Sequence, residues 1–168
     1  MCGGVLLTFR HVLTAATCVL PAPGGSIGVV TGEHNLGQSE PGQAAHSVTN
    51  ILPHPEFSGV SETSSTSEVS APPGHNLAVL TLARRLEVSE LAPVCWGPLS
   101  PPGLDPEDGH VFTGWGHTQF GPSAVPHWTR LPLVDRDTCE VHALHADRIN
   151  TQSMLRLDTS ESESTSER

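Results

Sequence analysis

The apolar residues of this chain come in short bursts, broken by polar, glycine or proline-rich stretches. Residues 5–7 (Val-Leu-Leu) and 12–16 (Val-Leu-Thr-Ala-Ala) have the length and β-branched content of buried strands. Residues 21–25, Pro-Ala-Pro-Gly-Gly, end that pair. Residues 27–31 and 46–52 predict two further strands. Residues 77–82, Leu-Ala-Val-Leu-Thr-Leu, form the strongest apolar run and predict a central strand. Residues 110–115 and 129–134 predict strands of a second unit. Pro132 lies within the last of them; having no N–H, it suits an edge or a bulge. The reading is all-β.

Two segments have a different texture. Residues 58–74 are Ser, Thr, Glu, Gly and Pro with few apolar anchors, and predict a long polar loop. Residues 158–168 are nearly all Ser, Thr and Glu, and predict a disordered acidic tail. Residues 1–157 are expected to form one domain, since 168 residues are too few for two comfortable ones.

Charge narrows the partners. The formal net charge is −10, from 8 basic and 18 acidic residues. A phosphate backbone needs a basic face, so nucleic acid is not an expected partner. An anionic membrane surface is disfavoured for the same reason. No run approaches the ~20 apolar residues of a spanning helix. The opening Met-Cys-Gly-Gly has no basic segment ahead of an apolar one, so no signal peptide is read here. No cofactor is expected. Cysteines at 2, 18, 95 and 139 allow three pairings. Cys139, His142 and His145 have a spacing that metal sites use, but ten scattered histidines produce such clusters by chance, and no metal is assigned to them.

Several segments then line up with one family. Cys2-Gly-Gly-Val-Leu-Leu followed by Val12-Leu-Thr-Ala-Ala-Thr-Cys18 resembles the trypsin/chymotrypsin pattern Cys-Gly-Gly-Ser-Leu-Ile and Val-Leu-Thr-Ala-Ala-His-Cys. In the same order come Gly32-Glu-His-Asn35, His54-Pro-Glu-Phe57, His75-Asn-Leu-Ala-Val-Leu-Thr-Leu82, Leu91-Ala-Pro-Val-Cys95 and Thr113-Gly-Trp-Gly116. Val134-Asp-Arg-Asp-Thr-Cys139 and Arg148-Ile-Asn-Thr-Gln-Ser-Met-Leu155 continue the series. The resemblance implies a trypsin-like double antiparallel β-barrel, with the first barrel mostly present and the second truncated after Leu155.

The resemblance also implies a Ser–His–Asp triad, and the matching positions depart from it. Thr17 stands where the family has its His, and Asn76 where it has its Asp. A threonine hydroxyl cannot act as a base near neutral pH, and an amide has no charge to support an imidazolium. The Gly-Asp-Ser-Gly-Gly-Pro segment that carries the nucleophile and its oxyanion hole does not occur. His11 and His75 flank the two positions, and neither is assigned a catalytic role; His11 is expected in a turn facing solvent. The expectation is therefore a chain that is not an enzyme, a non-catalytic serine protease homologue used as a binding or decoy module for a protein partner. The alternative is a fragment or isoform related to a secreted serine-type endopeptidase acting in proteolysis.

Other family features carry over residue by residue. Cys2 and Cys18 match the disulfide beside the catalytic His, which also implies a secreted setting. Cys95 matches the cysteine that ties the protease domain to a propeptide or light chain. Cys139 matches one whose partner follows Met-Leu, where this chain has Arg156. Glu33, Glu40 and Gln43 fall on the calcium-loop positions, with an amide where a third carboxylate would stand, and are weak candidates for a metal.

Overall fold

A computed structural model describes residues 2–20, 26–57, 74–87, 91–96, 110–118 and 121–132. The predicted 58–74 loop, the 158–168 tail, the Cys139 group with its two histidines, and the 148–155 segment lie outside these residues, apart from Gly74. The described parts fall into two compact units. One is Met1–Glu33 with Glu40–Trp96, and the other is His34–Ser39 with Gly97–Arg168.

The first unit is a single curled antiparallel sheet. Its strands are β1 (Val5–Thr8), β2 (His11–Thr14), β3 (Gly28–Thr31), β4 (Ala44–Pro53) and β5 (Ala78–Leu82), in the order β1-β2-β5-β4-β3. All the pairings are antiparallel. The 77–82 run does become the central strand. Its side chains alternate as a pleat requires: Ala78, Leu80 and Leu82 are buried, and Val79 and Thr81 half-buried. These three pack with Val12, Ala16, Val19 and Leu86 into the core. One expectation shifts locally. The 12–16 run does not stay extended; β2 stops at Thr14, and Ala16–Cys18 turn into a short 3₁₀ helix that buries Ala16.

The segment after β5 is strapped to the first hairpin. Leu82 N donates to Arg10 O at 2.9 Å, and Arg10 Nε returns a bond to Leu82 O at 3.0 Å. Leu86 N donates to Phe9 O, while the Arg85 guanidinium lies 5.4 Å from the Phe9 ring centroid. The 91–96 segment runs beside β1, with Val94 N donating to Leu6 O and the Trp96 indole to Leu7 O. The outer edge of β1 is thereby partly paired, which limits its use as a template for other strands.

The second unit contributes β6 (His110–Gly114) paired with β9 (His127–Leu131), and β7 (His117–Thr118) paired with β8 (Gly121–Pro122). The strand expected at 110–115 is there as β6, and of the one expected at 129–134 residues 129–131 lie in β9, while 133 and 134 fall outside the described residues. β9 ends at Leu131, and Pro132 lies just beyond it, where a missing N–H costs the ladder nothing. The short β7–β8 pair carries no hydrophobic alternation that a sequence pattern could show. The all-β reading stands, as a partial trypsin-like barrel.

One turn requires glycine. Gly32 follows β3 with φ +70°, and a Cβ there would run into the Gly42 carbonyl. Gly32→Ala is expected to lower stability by about 2 kcal/mol, from left-handed backbone strain plus the collision. Urea denaturation of the variant against the parent measures it; a change under about 0.5 kcal/mol would mean the turn adapts.

Candidate functional site

The site is built by one feature of the register. β2 and β5 run antiparallel with Thr14 opposite Ala78, so the turn leaving β2 meets the residues entering β5. Thr17, in the 3₁₀ turn, and Asn76, just before β5, are thus brought together although 59 positions apart. They bond reciprocally: Thr17 N donates to Asn76 Oδ1 at 2.9 Å, and Asn76 Nδ2 donates to Thr17 Oγ1 at 3.1 Å. Both bonds lie at the surface. The two positions that the resemblance aligns with the family's His and Asp are thus adjacent in space, and a neutral hydroxyl–amide pair occupies them.

The disulfide expected from the resemblance is formed. Cys2 and Cys18 are bonded at 2.07 Å with their Cα atoms 6.1 Å apart, inside the range such a bridge spans. It ties the residue after Thr17 to the strand entering β1. Thr14 Oγ1 adds a bond to Gly3 O at 2.8 Å. Cys95 is free and exposed.

The flanking histidines have other partners. His11 does not sit in a solvent-facing turn; it opens β2, half-buried, with Nδ1 2.8 Å from Thr8 Oγ1. His75 has a left-handed backbone, φ +54°. Its ring stacks on His54 with centroids 4.6 Å apart, and Nε2 is 3.5 Å from Glu56 Oε2. His54, Glu56 and His75 form the one group of three or more possible metal-ligating side chains among the described residues. In the sequence His54 and His75 serve only as family markers. Their meeting follows from the register that sets Pro53 opposite Ala78.

The sequence gives no sign of a serine–histidine contact in the second unit. There Ser123 Oγ lies 2.8 Å from His127 Nε2. The same hydroxyl is 2.8 Å from Val125 O and accepts Val125 N–H at 3.2 Å. An oxygen engaged on three sides within its own turn is tied to backbone rather than presented to a substrate.

Two of the calcium-loop positions touch each other, and a carboxylate oxygen of the third is buried. Gln43 Oε1 already accepts from Glu40 N at 3.2 Å. Glu33 Oε1 is buried with no hydrogen-bond partner.

Comparison with known proteins places these features. The Trypsin family model matches residues 1–167, past the point at Leu155 where the motif series stops. Guinea pig coagulation factor IX is 31% identical over 142 residues, covering 82% of this chain and 46% of that protein. Mouse ovochymase-2 is 30% identical over 146 residues, covering 83% of this chain and 22% of that protein. Dog chymotrypsin-like elastase family member 1 is 30% identical over 148 residues, covering 82% of this chain and 50% of that protein. The chain thus spans half or less of the length of these relatives. The expectation of a chain that is not an enzyme is corrected by these matches: the relatives are serine proteases, factor IX and an elastase among them. That expectation rested on two side chains, Thr17 and Asn76, and a missing segment, whereas the likeness extends over four-fifths of the sequence. No helix among the described residues is long and apolar enough to cross a membrane.

Proposed function

Since the chain belongs to the trypsin family of serine proteases, we propose that it is part of a secreted serine-type endopeptidase domain acting in proteolysis. The observation that carries this reading is the convergence of positions 17 and 76 at the ends of β2 and β5, pinned by the Cys2–Cys18 bridge. That scaffold sets side by side the two positions that the resemblance aligns with a base and its orienting partner, which is the spatial requirement of general-base activation of a serine. The secreted setting is supported by the disulfide, which persists in oxidising compartments. The substrate class is polypeptide, in keeping with the family.

A second reading, a binding or decoy module for a protein partner, is favoured by the neutral character of the Thr17–Asn76 pair. An exposed hydroxyl and amide are ordinary recognition groups.

The test is endopeptidase activity on internally quenched peptides, with the protein purified under oxidising conditions. Cleavage blocked by a serine-directed organophosphorus reagent is expected, with the phosphorylated residue located by peptide mapping, since no serine of this chain stands in the family's nucleophile motif. Thr17→His combined with Asn76→Asp is expected to raise the rate at least about tenfold, since positioned general bases contribute about 10²–10⁴. A folded protein that cleaves nothing, in either form, sinks the proteolytic reading. Saturable binding of the same peptides would then support the second.

A further inference from the structure

We propose that His54, Glu56 and His75 form a site for a divalent transition-metal ion, Zn²⁺ being the ion that two imidazoles and a carboxylate suit best. Such a site is independent of the proteolytic reading. The three side chains come from two separate segments, the exit of β4 and the turn entering β5. Each offers one ligand atom, and all three atoms lie within 4.8 Å of one another. Two histidines and one carboxylate are a ligand set that holds zinc while leaving a fourth position open. Imidazole and carboxylate ligands without a thiolate point away from soft ions, and two ring nitrogens point away from calcium and magnesium.

The backbone supports this arrangement from both sides. His54 N donates to Leu77 O at 2.9 Å, so the β4 exit is stitched to the residue two places after His75. His75 is held at φ +54°, a conformation that a non-glycine residue adopts at a cost, and Leu77 N closes the turn onto His75 O at 2.7 Å. This strained turn lays the His75 ring on His54, with an interplanar angle of 14°. Stacked at this angle the two rings do not aim their in-plane lone pairs at one point, so a shared ion requires one ring to turn.

The chain must adjust a little to close on the ion. Zn–N bonds of about 2.0–2.1 Å put ligand atoms roughly 3.3 Å apart in a tetrahedron. Glu56 is largely exposed and free to swing inward. His54 Nδ1 accepts Glu56 N–H at 3.1 Å in the metal-free arrangement. Ligation through Nδ1 directs that lone pair to the ion, and ligation through Nε2 places the ring proton on Nδ1; either way Glu56 N–H loses this acceptor, and the 54–56 turn is the part that moves. His75 directly precedes Asn76, so an ion here would stiffen the turn that presents Asn76 to Thr17.

The experiment titrates Zn²⁺ into the whole chain after its free thiols are alkylated, which removes Cys95 as a competitor and leaves the disulfide intact. One Zn²⁺ per chain is expected, with a rise in melting temperature. His54→Asn and His75→Asn should each weaken binding at least about tenfold. Asparagine is chosen because it tolerates the left-handed backbone of position 75. His46→Asn, at a histidine bonded to Thr31 away from the cluster, should leave binding unchanged. Zinc affinity unaltered by both cluster variants, or no saturable binding by the parent, overturns the proposal. Should the variants fail to fold, the parent alone decides it by ring-proton NMR. Zn²⁺-dependent shifts at His54 and His75 uphold the site, and shifts only at other histidines, or none, reject it.

Discussion

Leu82→Ala should cost about 3–5 kcal/mol, the largest loss expected of any single side-chain truncation in the first unit. Leu82 is 0% exposed and is the largest fully buried side chain described. It ends the central strand, with β2 on one side and β4 on the other. Burial alone sets a cost of about 2–5 kcal/mol for such a truncation. The position within that range depends on how far the surroundings can collapse into the space left. Here they are held: Leu82 N bonds Arg10 O, and Leu82 O takes the Arg10 guanidinium. A backbone fixed at both polar groups cannot settle toward the core, so the cavity persists and the upper half of the range applies. Leu52→Ala provides the contrast. It lies on neighbouring β4 but is 61% exposed, and its truncation should change stability by less than about 0.5 kcal/mol. Equilibrium urea denaturation of both variants checks the pair. Equal costs would show that the core is not centred on β5.

The same strand shows why so much of the fold was legible. An apolar run that alternates buried and half-buried residues belongs in the middle of a sheet, and 77–82 announces this without reference to its neighbours. The strands at 5–7, 27–31 and 46–52 are read instead from the length and β-branched content of their runs. What escaped detection had no periodicity to read. The 3₁₀ turn at Ala16–Cys18 arises because Ala16 must bury itself beneath the sheet, a tertiary demand that overrides the β-like pattern of 12–16. The β7–β8 pair is two residues on each side and leaves no signature.

The site was legible only in part. Positions 17 and 76 were found through motif resemblance, and the register then explains their meeting. Their side chains led the sequence reading to deny an enzyme, a conclusion that the wider likeness overturns. The His54–Glu56–His75 cluster could not be read at all as a unit. His54 and Glu56 are local to each other, but His75 joins them only through the β4–β5 register and an unusual φ. Neither quantity is written in a single sequence. One histidine shortly before a predicted strand and another just past a second one are the faint signal that pairing of those strands would have turned into a prediction.

Removing the Cys2–Cys18 bridge, by Cys2→Ser with Cys18→Ser, should lower stability by about 3 kcal/mol and loosen positions 17 and 76 together. The bridge joins residues 16 apart. In the chain-entropy picture a closed loop of that size restricts the unfolded chain by about 3 kcal/mol. The native side adds a local effect. Cys18 directly follows Thr17 in a turn of only three residues, and that turn lacks a side-chain cap at its start. Within the turn, Cys18 N donates to Ala15 O, and Val19 N and Leu20 N donate to Ala16 O. Outward from it run the bridge and the reciprocal pair to Asn76. Without the bridge, the tether from Thr17 to the β5 entry is that exposed pair, and exposed hydrogen bonds contribute about 1 kcal/mol each at most. Amide hydrogen exchange should therefore rise first at Thr17 and Cys18, ahead of the β5 amides, while urea denaturation reports the global loss. Reduction of the parent chain by dithiothreitol should reproduce the same midpoint as the double variant. A variant as stable as the parent, with unchanged exchange at Thr17, would mean that core burial of Ala16 and Val19 alone fixes the turn, and that the disulfide is not what holds the two site positions in register.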